Sequence, residues 1–174
     1  NLSMTPKKAE QGRLFGRTIK KAVDEAIQLR IRLRNTTVRD VRDIQAMEAL
    51  DSESSQILEL PLLLADALTG IELAYGNQRA IIEQTEKLAI LADEVAAGRV
   101  DDKGAVRNAS VVNLAVDEPK GSVRQPFHWP LQFPEVFNRQ NVGFDAFVGN
   151  PPFLGGHKIR EASGGLFRDY IVRN

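Results

Sequence analysis

The chain has 174 residues, 43% of them apolar, with 23 basic against 23 acidic residues and no cysteine. That length suits one domain or a piece of a larger one. Disulfides and thiolate metal sites are excluded, and no apolar run approaches the roughly 18 residues of a membrane span. The neutral total hides a strong segregation. Residues 1–42 carry eleven Lys/Arg against four Asp/Glu (+7), residues 43–98 two against eleven (−9), and residues 99–174 ten against eight (+2). A basic segment of this kind can touch phosphate. The plainer reading, a basic helix beside an acidic one with solvated outer faces, is preferred.

In chain order, Thr5-Pro6 suits a helix start. From Phe15 to Leu33 apolar residues step by four and three through Ile19, Ala22, Ala26 and Leu29, a helical stripe. Val23, Ile27 and Ile31 widen it, and Asn35-Thr36-Thr37 interrupts it. Asp40–Leu50 reads as a second helix, and Asp51-Ser52-Glu53-Ser54-Ser55 as the cap of a third over residues 56–75, with Pro61 in its first turns. Gly76-Asn77 ends or kinks that helix. A fourth covers residues 78–97 on Ile81, Leu88, Leu91 and Val95 and stops at Gly98. Residues 1–98 thus predict a helical hairpin or small bundle whose apolar stripes are core; zipping to a partner helix is the alternative. Residues 99–126 read as a loop-rich connector. Asp101-Asp102-Lys103-Gly104 is a turn rather than a metal site, Ala109–Val116 a helix end or a short strand, and Glu118–Gln125 an exposed loop.

The most informative stretch is FDAFVGNPPFLGG, Phe144–Gly156. The near-continuous apolar run Phe144–Gly149 predicts a strand within a mainly parallel sheet. A loop at the carboxyl end of such a strand is where open α/β sheets bind ligands. In that loop Asn150 supplies a side-chain carbonyl acceptor. Pro151 and Pro152 lock their own φ and bias the residue before each toward extended backbone. Taken alone, Asn-Pro-Pro-Phe is an ordinary turn.

With the strand before it, the glycines after it and the lead-in FHWPLQFPEVF, Phe127–Phe137, the stretch resembles S-adenosylmethionine-dependent adenine-N6 DNA methyltransferases. In particular it is similar to the large, type IIG-like enzymes of restriction-modification and phage defence. The resemblance continues through LFRDYIV at Leu166–Val172 and covers about the last third of the chain. It implies a mixed α/β fold: a mainly helical N-terminal insertion over 1–98, the connector 99–126, and over 127–174 a strand-loop-helix piece of a Rossmann-like methyltransferase sheet. It implies that Asn150, Pro151, Pro152 and Phe153 hold and methylate a flipped adenine in double-stranded DNA, and that the setting is the prokaryotic cytoplasm.

The family's glycine-rich donor turn, of the Asp-Pro-x-x-Gly-x-Gly kind, has no counterpart here; Gly164-Gly165 lies beyond the loop and follows no strand. The chain is therefore expected to be a piece of a longer protein and inactive alone. The rest of that protein would be its partner and would bind most of the S-adenosylmethionine. Lys158 and Arg160, just past the loop, are candidates for DNA phosphates. His128 and Trp129 read as packing against the sheet and leading the chain to the strand before the loop, and with His157 the only other histidine no metal-spaced pair exists. RNA or protein methylation by the same kind of loop, and a non-enzymatic helical module with a relict loop, are the competing readings.

Overall fold

The computed structural model describes residues 6–98, 103–119, 121–150 and 156–173. Among them are eight helices: α1 (Pro6–Asn35), α2 (Val41–Ala74), α3 (Gln78–Ala96), α4 (Lys103–Leu114), the single turns α5 (Trp129–Gln132) and α6 (Pro134–Phe137), α7 (Gly156–Ser163) and α8 (Gly165–Arg173). The chain divides into two compact units. One holds residues 1–62 and 127–146, the other 63–126 and 147–174, with the first boundary falling inside α2.

The mixed α/β expectation is corrected: no strand is present among the described residues, and the molecule is mainly helical. Phe144–Gly149, read as a strand of a Rossmann-like sheet, is irregular chain. A strand exists only where a neighbour answers its alternating N–H and C=O groups, and none of the described residues forms that neighbour. Phe147 and Val148 are 75% and 100% exposed, so the apolar character of these two residues is not used for burial here.

Helix ends follow side-chain chemistry. Asp40 and Asp43 form a reciprocal box at the start of α2. Asp40 Oδ1 accepts from the backbone N–H groups of Arg42 and Asp43 at 2.8 and 3.2 Å, while Asp43 Oδ2 accepts from those of Arg39 and Asp40 at 2.8 and 3.3 Å. Asn77 caps α3 by accepting from the Ala80 N–H at 2.8 Å. Beyond α3, Gly98 takes φ +65°, the left-handed turn that glycine adopts without penalty.

The break expected at Asp51–Ser55 does not occur, and α2 runs through it with Pro61 in its interior rather than its first turns. The propensity cost of Ser and Asp in a helix is only about 0.5 kcal/mol each, which packing overrides. Ser54 is completely buried and accepts from Arg30 Nε at 3.3 Å. Ala109–Val116, open between helix and strand on sequence, belongs to α4 as far as Leu114.

In the first unit Ala26, Ile27 and Leu29 of α1, Leu58 of α2 and Pro134 of α6 are buried. Ile31, expected on the same face, is 42% exposed. Arg30 ties the elements together: Nη1 donates to the Gln132 carbonyl at 2.6 Å and lies 4.0 Å from the Glu135 carboxylate.

The second unit buries Leu64, Ala67 and Ile71 of α2, Ile81, Leu88 and Ala92 of α3, and Val106 and Leu114 of α4. Helices α2 and α4 meet closely at Gly70, where a Cβ would stand 2.8 Å from Asn113 Cβ and 3.4 Å from the Leu114 backbone nitrogen. A Leu at Gly70 must push these helices apart. Gly70→Leu is expected to lower stability by about 1–3 kcal/mol, the usual effect of overpacking. Chemical denaturation checks this, and an unchanged midpoint would show that α2 and α4 do not pack at Gly70.

Candidate functional site

The approach to Asn150 is built in the first unit from an aromatic cluster. Phe144 meets Trp129, Phe133 and Phe137 edge-on, with ring centroids 5.4, 5.4 and 5.7 Å away and interplanar angles of 81°, 78° and 87°. Phe127 lies against Trp129 at 4.7 Å, and Trp129 stacks on Phe133 at 6.1 Å. Edge-to-face pairs are each worth about 0.5–1.5 kcal/mol beyond burial, so Phe144 is a firm anchor. Pro130 and Pro134 each begin one of the short turns that arrange these rings. Trp129 therefore packs among aromatic rings and not against a sheet as expected, since no strand is present among the described residues. His128 is the N-cap residue of α5, and its backbone carbonyl accepts from Leu131 and Gln132.

Between the cluster and the loop the chain reverses at Gly143, whose φ of +105° is strained for any residue with a side chain. The Gly143 N–H donates to the Val136 carbonyl at 3.2 Å. Arg139 Nη2 clamps the reversal by donating to the Gly143 carbonyl and, at 2.8 Å, to Asp145 Oδ2. The Arg139 hydrogen bond, and then its charge, hold the Asp145 carboxyl below the ordinary carboxylate range.

Asn150 belongs to the second unit and is exposed. Pro151, Pro152 and Phe153 lie outside the described residues. On the far side of the loop α7 begins at Gly156. Lys158 and Arg160 are both exposed on it. Two residues apart on a helix, they point in different directions rather than forming one patch. Arg160 borders an open depression shared with Asp117, Glu118 and Asp169, a mixed-charge surface.

Sequence reasoning passed over the residues that hold α7 and α8. Arg124 Nη1 donates to the Leu114 carbonyl at 3.0 Å and to that of Val116. Its Nη2 donates to Asp117 O at 3.1 Å and Ser163 O at 2.7 Å. Asp117 Oδ2 accepts from the Leu166 N–H at 2.8 Å and so caps α8. Gly164 has φ +86°, and a Cβ on it would fall 2.0 Å from the Asp117 carbonyl oxygen. The visible signal was Gly164 itself, a glycine just past one helical pattern and before another.

That packing bears on the cofactor. The donor site of a methyltransferase needs glycines that leave room for a ligand against bare backbone, but the space over Gly164 is filled by Asp117. At Gly164 the described residues leave no room for S-adenosylmethionine. Nor do they gather three His, Asp or Glu side chains as a metal ion would need, and no described helix is long and apolar enough to cross a membrane.

The class is given by comparison with known families: a restriction-modification methylase, a class of DNA methyltransferases. The chain belongs to the Eco57I restriction-modification methylase family, whose model matches residues 47–172 and so takes in positions 150–153 and most of the helical body. No curated protein and no solved structure matches the chain.

The clamp gives a pH prediction. Because the folded Asp145 is more acidic than an unfolded aspartate, the Arg139–Asp145 pair supports the folded state above the ordinary aspartate range. That support is lost as pH falls through the lowered value. In a ¹³C carboxyl titration followed by NMR, Arg139→Gln is expected to move the Asp145 midpoint upward, toward the ordinary range. A midpoint that stays put would show that Arg139 does not clamp this turn.

Proposed function

We propose that the chain carries the adenine-binding loop of an adenine-specific, type IIG-like DNA methyltransferase. The observation that carries this reading is the run Asn150-Pro151-Pro152-Phe153 inside the family match. Family membership supports DNA as the substrate; adenine N6 as the target is what the resemblance of the loop implies.

The exocyclic amine of adenine is a weak nucleophile because its lone pair is delocalised into the ring. The loop counters this by accepting both N6 hydrogens, one on the Asn150 side-chain carbonyl and the other on the Pro151 backbone carbonyl. The nitrogen is drawn toward tetrahedral geometry, and the positive charge growing on it meets fixed dipoles already oriented to receive it. No side chain has to take a proton for this to work. Pro151 and Pro152 keep the acceptors stiff. Phe153 stacks on the extruded base and offsets part of the few kcal/mol that flipping costs. Lys158 and Arg160 are assigned to DNA phosphates, where each contributes affinity without sequence preference.

S-adenosylmethionine is the methyl donor of the proposed reaction, and no residue of this chain is assigned to it. Residues 1–174 contain no Asp-Pro-x-x-Gly-x-Gly turn. In this reading the helical region 1–98 and the connector 99–126 support a catalytic region at 127–174 that supplies the acceptor side, and a longer protein supplies the donor side.

The test is mass spectrometry of N6-methyladenine in DNA incubated with S-adenosylmethionine and the full-length protein. Asn150→Ala removes one of the two acceptors and is expected to lower kcat on the order of 10²-fold or more while DNA binding persists. Methylation elsewhere than adenine, or an undiminished rate, would refute the assignment. Phe153→Ala is expected to weaken base capture, seen as a loss of 2-aminopurine fluorescence at the target position. Fluorescence equal to wild type would remove Phe153 from that role.

A further inference from the structure

We propose that the corner between α1 and α2 is a contact for the DNA backbone, made by Arg32, Arg39 and Arg42; this rests on DNA as the substrate, as read above. The basic residues from position 30 to position 42 are five arginines and no lysine. The planar fork of arginine matches phosphate oxygens two at a time. Arg30 is committed to Ser54 and to the Gln132 carbonyl. Arg32, Arg39 and Arg42 are exposed, and among the described residues their guanidinium groups have neither an acceptor nor an acidic partner.

The corner pins the backbone of all three arginines and leaves their side chains out. Thr36 Oγ1 donates to the Arg32 carbonyl at 2.9 Å. Asp43 Oδ2 accepts from the Arg39 N–H, and Asp40 Oδ1 from the Arg42 N–H, both at 2.8 Å. The two acids of the corner therefore face backbone N–H dipoles, and neither forms an ion pair among the described residues. Residues 36–40 join the two helices, a chain length of at most about 20 Å. A duplex presents one charge per about 1.7 Å of its axis, so several phosphates fall within that span. Val38 and Val41, 53% and 67% exposed, stand beside Arg39 and Arg42 in the chain and offer apolar surface to the sugars between phosphates.

Other cations of α1 are placed differently. Arg17, Lys20 and Lys21 share an open depression with Asp24 and Glu25, and Lys21 pairs with Glu25. A phosphate arriving there meets acids as well as cations. At the corner the cations are unpaired and their backbone is already ordered, so binding has less freedom to remove. A contact of this kind adds affinity and fixes orientation on the duplex without reading its sequence.

The test is the salt dependence of binding between the full-length protein and a short mixed-sequence duplex, followed by fluorescence anisotropy. Arg32→Gln, Arg39→Gln and Arg42→Gln are each expected to weaken binding and to reduce the slope of log K against log salt by about 0.9, the counterion release of one phosphate. Arg39→Lys keeps the wild-type slope, because an ammonium still neutralises a phosphate as a point charge. Lys20→Gln keeps it as well. All of these side chains are exposed, so the unfolding midpoints are expected to match wild type; if one glutamine variant does not fold, the other two decide. Unchanged slopes in the glutamine variants overturn the proposal and leave the corner to an acidic protein surface. An equal loss of slope in Lys20→Gln also overturns it, since the attraction would then be diffuse. Formation of methyladenine judges the reading of the loop separately. Reduced slopes without methyladenine would sink that reading and leave the corner standing, and methyladenine with unchanged slopes would do the reverse.

Discussion

Each unit of this molecule depends on an arginine that gathers polar groups from segments distant in sequence. In the second unit Arg124 holds the end of α4, the turn after it and the end of α7. Without it these carbonyls would face one another at a junction that Gly164 brings to the closest possible packing. A buried or half-buried carbonyl without a donor costs about 1–3 kcal/mol, so the guanidinium is what makes the junction affordable. Arg30 does the equivalent in the first unit, reaching Ser54 on α2 and the Gln132 carbonyl at the α5–α6 corner. Apolar stripes bring the helices together, but they say little about how a short helix such as α7 is aimed. Directional donors supply that.

This division of labour explains what the sequence disclosed. Helices were legible because burial follows the 3.6-residue period: Ala26 and Leu29, and Ile81 and Leu88, were expected to be core and are. Helix ends were legible where one side chain decides them, as at Asn77 and Gly98. The false break at Asp51–Ser55 arose because Ser and Asp serve equally as caps and as tolerated interior residues. The choice fell to the contact between Ser54 and Arg30, 24 residues away. The strand failed for a related reason. An apolar run reports that a segment can be buried, whereas a strand also needs a partner backbone, which lies outside any local window.

The candidate site divides in the same way. Asn150–Phe153 was singled out through resemblance to a family, carried by the flanking glycines and the lead-in Phe127–Phe137 as well as by the four residues themselves. The surrounding supports were not found. Arg139, Gly143 and Asp145 make a local clamp that a reader could have suspected from a charge pair flanking a glycine. Arg124 looked like one more cation in an exposed loop, and Asp117 fell between two assigned stretches and was given no role. Their roles appear only when α4 and α7 are brought together.

The family match begins at residue 47, which leaves α1 outside it, yet α1 is not an appendage. Its Ala26, Ile27 and Leu29 are buried, and its Arg30 reaches the corner from which the aromatic lead-in departs. The +7 charge of residues 1–42 therefore has two parts with different physical meaning. Arg30 is turned inward, half-buried and committed to Ser54, Gln132 and Glu135. Arg17, Lys20 and Lys21 stand on the exposed side with Asp24 and Glu25 among them, and Lys21 pairs with Glu25 one turn on at 3.6 Å. Interleaved acids dilute the field that a phosphate backbone would meet there, so the composition of residues 1–42 overstates their attraction for DNA. On this basis the basic segment is first of all a support for the aromatic lead-in, the role that Arg30 fulfils through the Gln132 carbonyl.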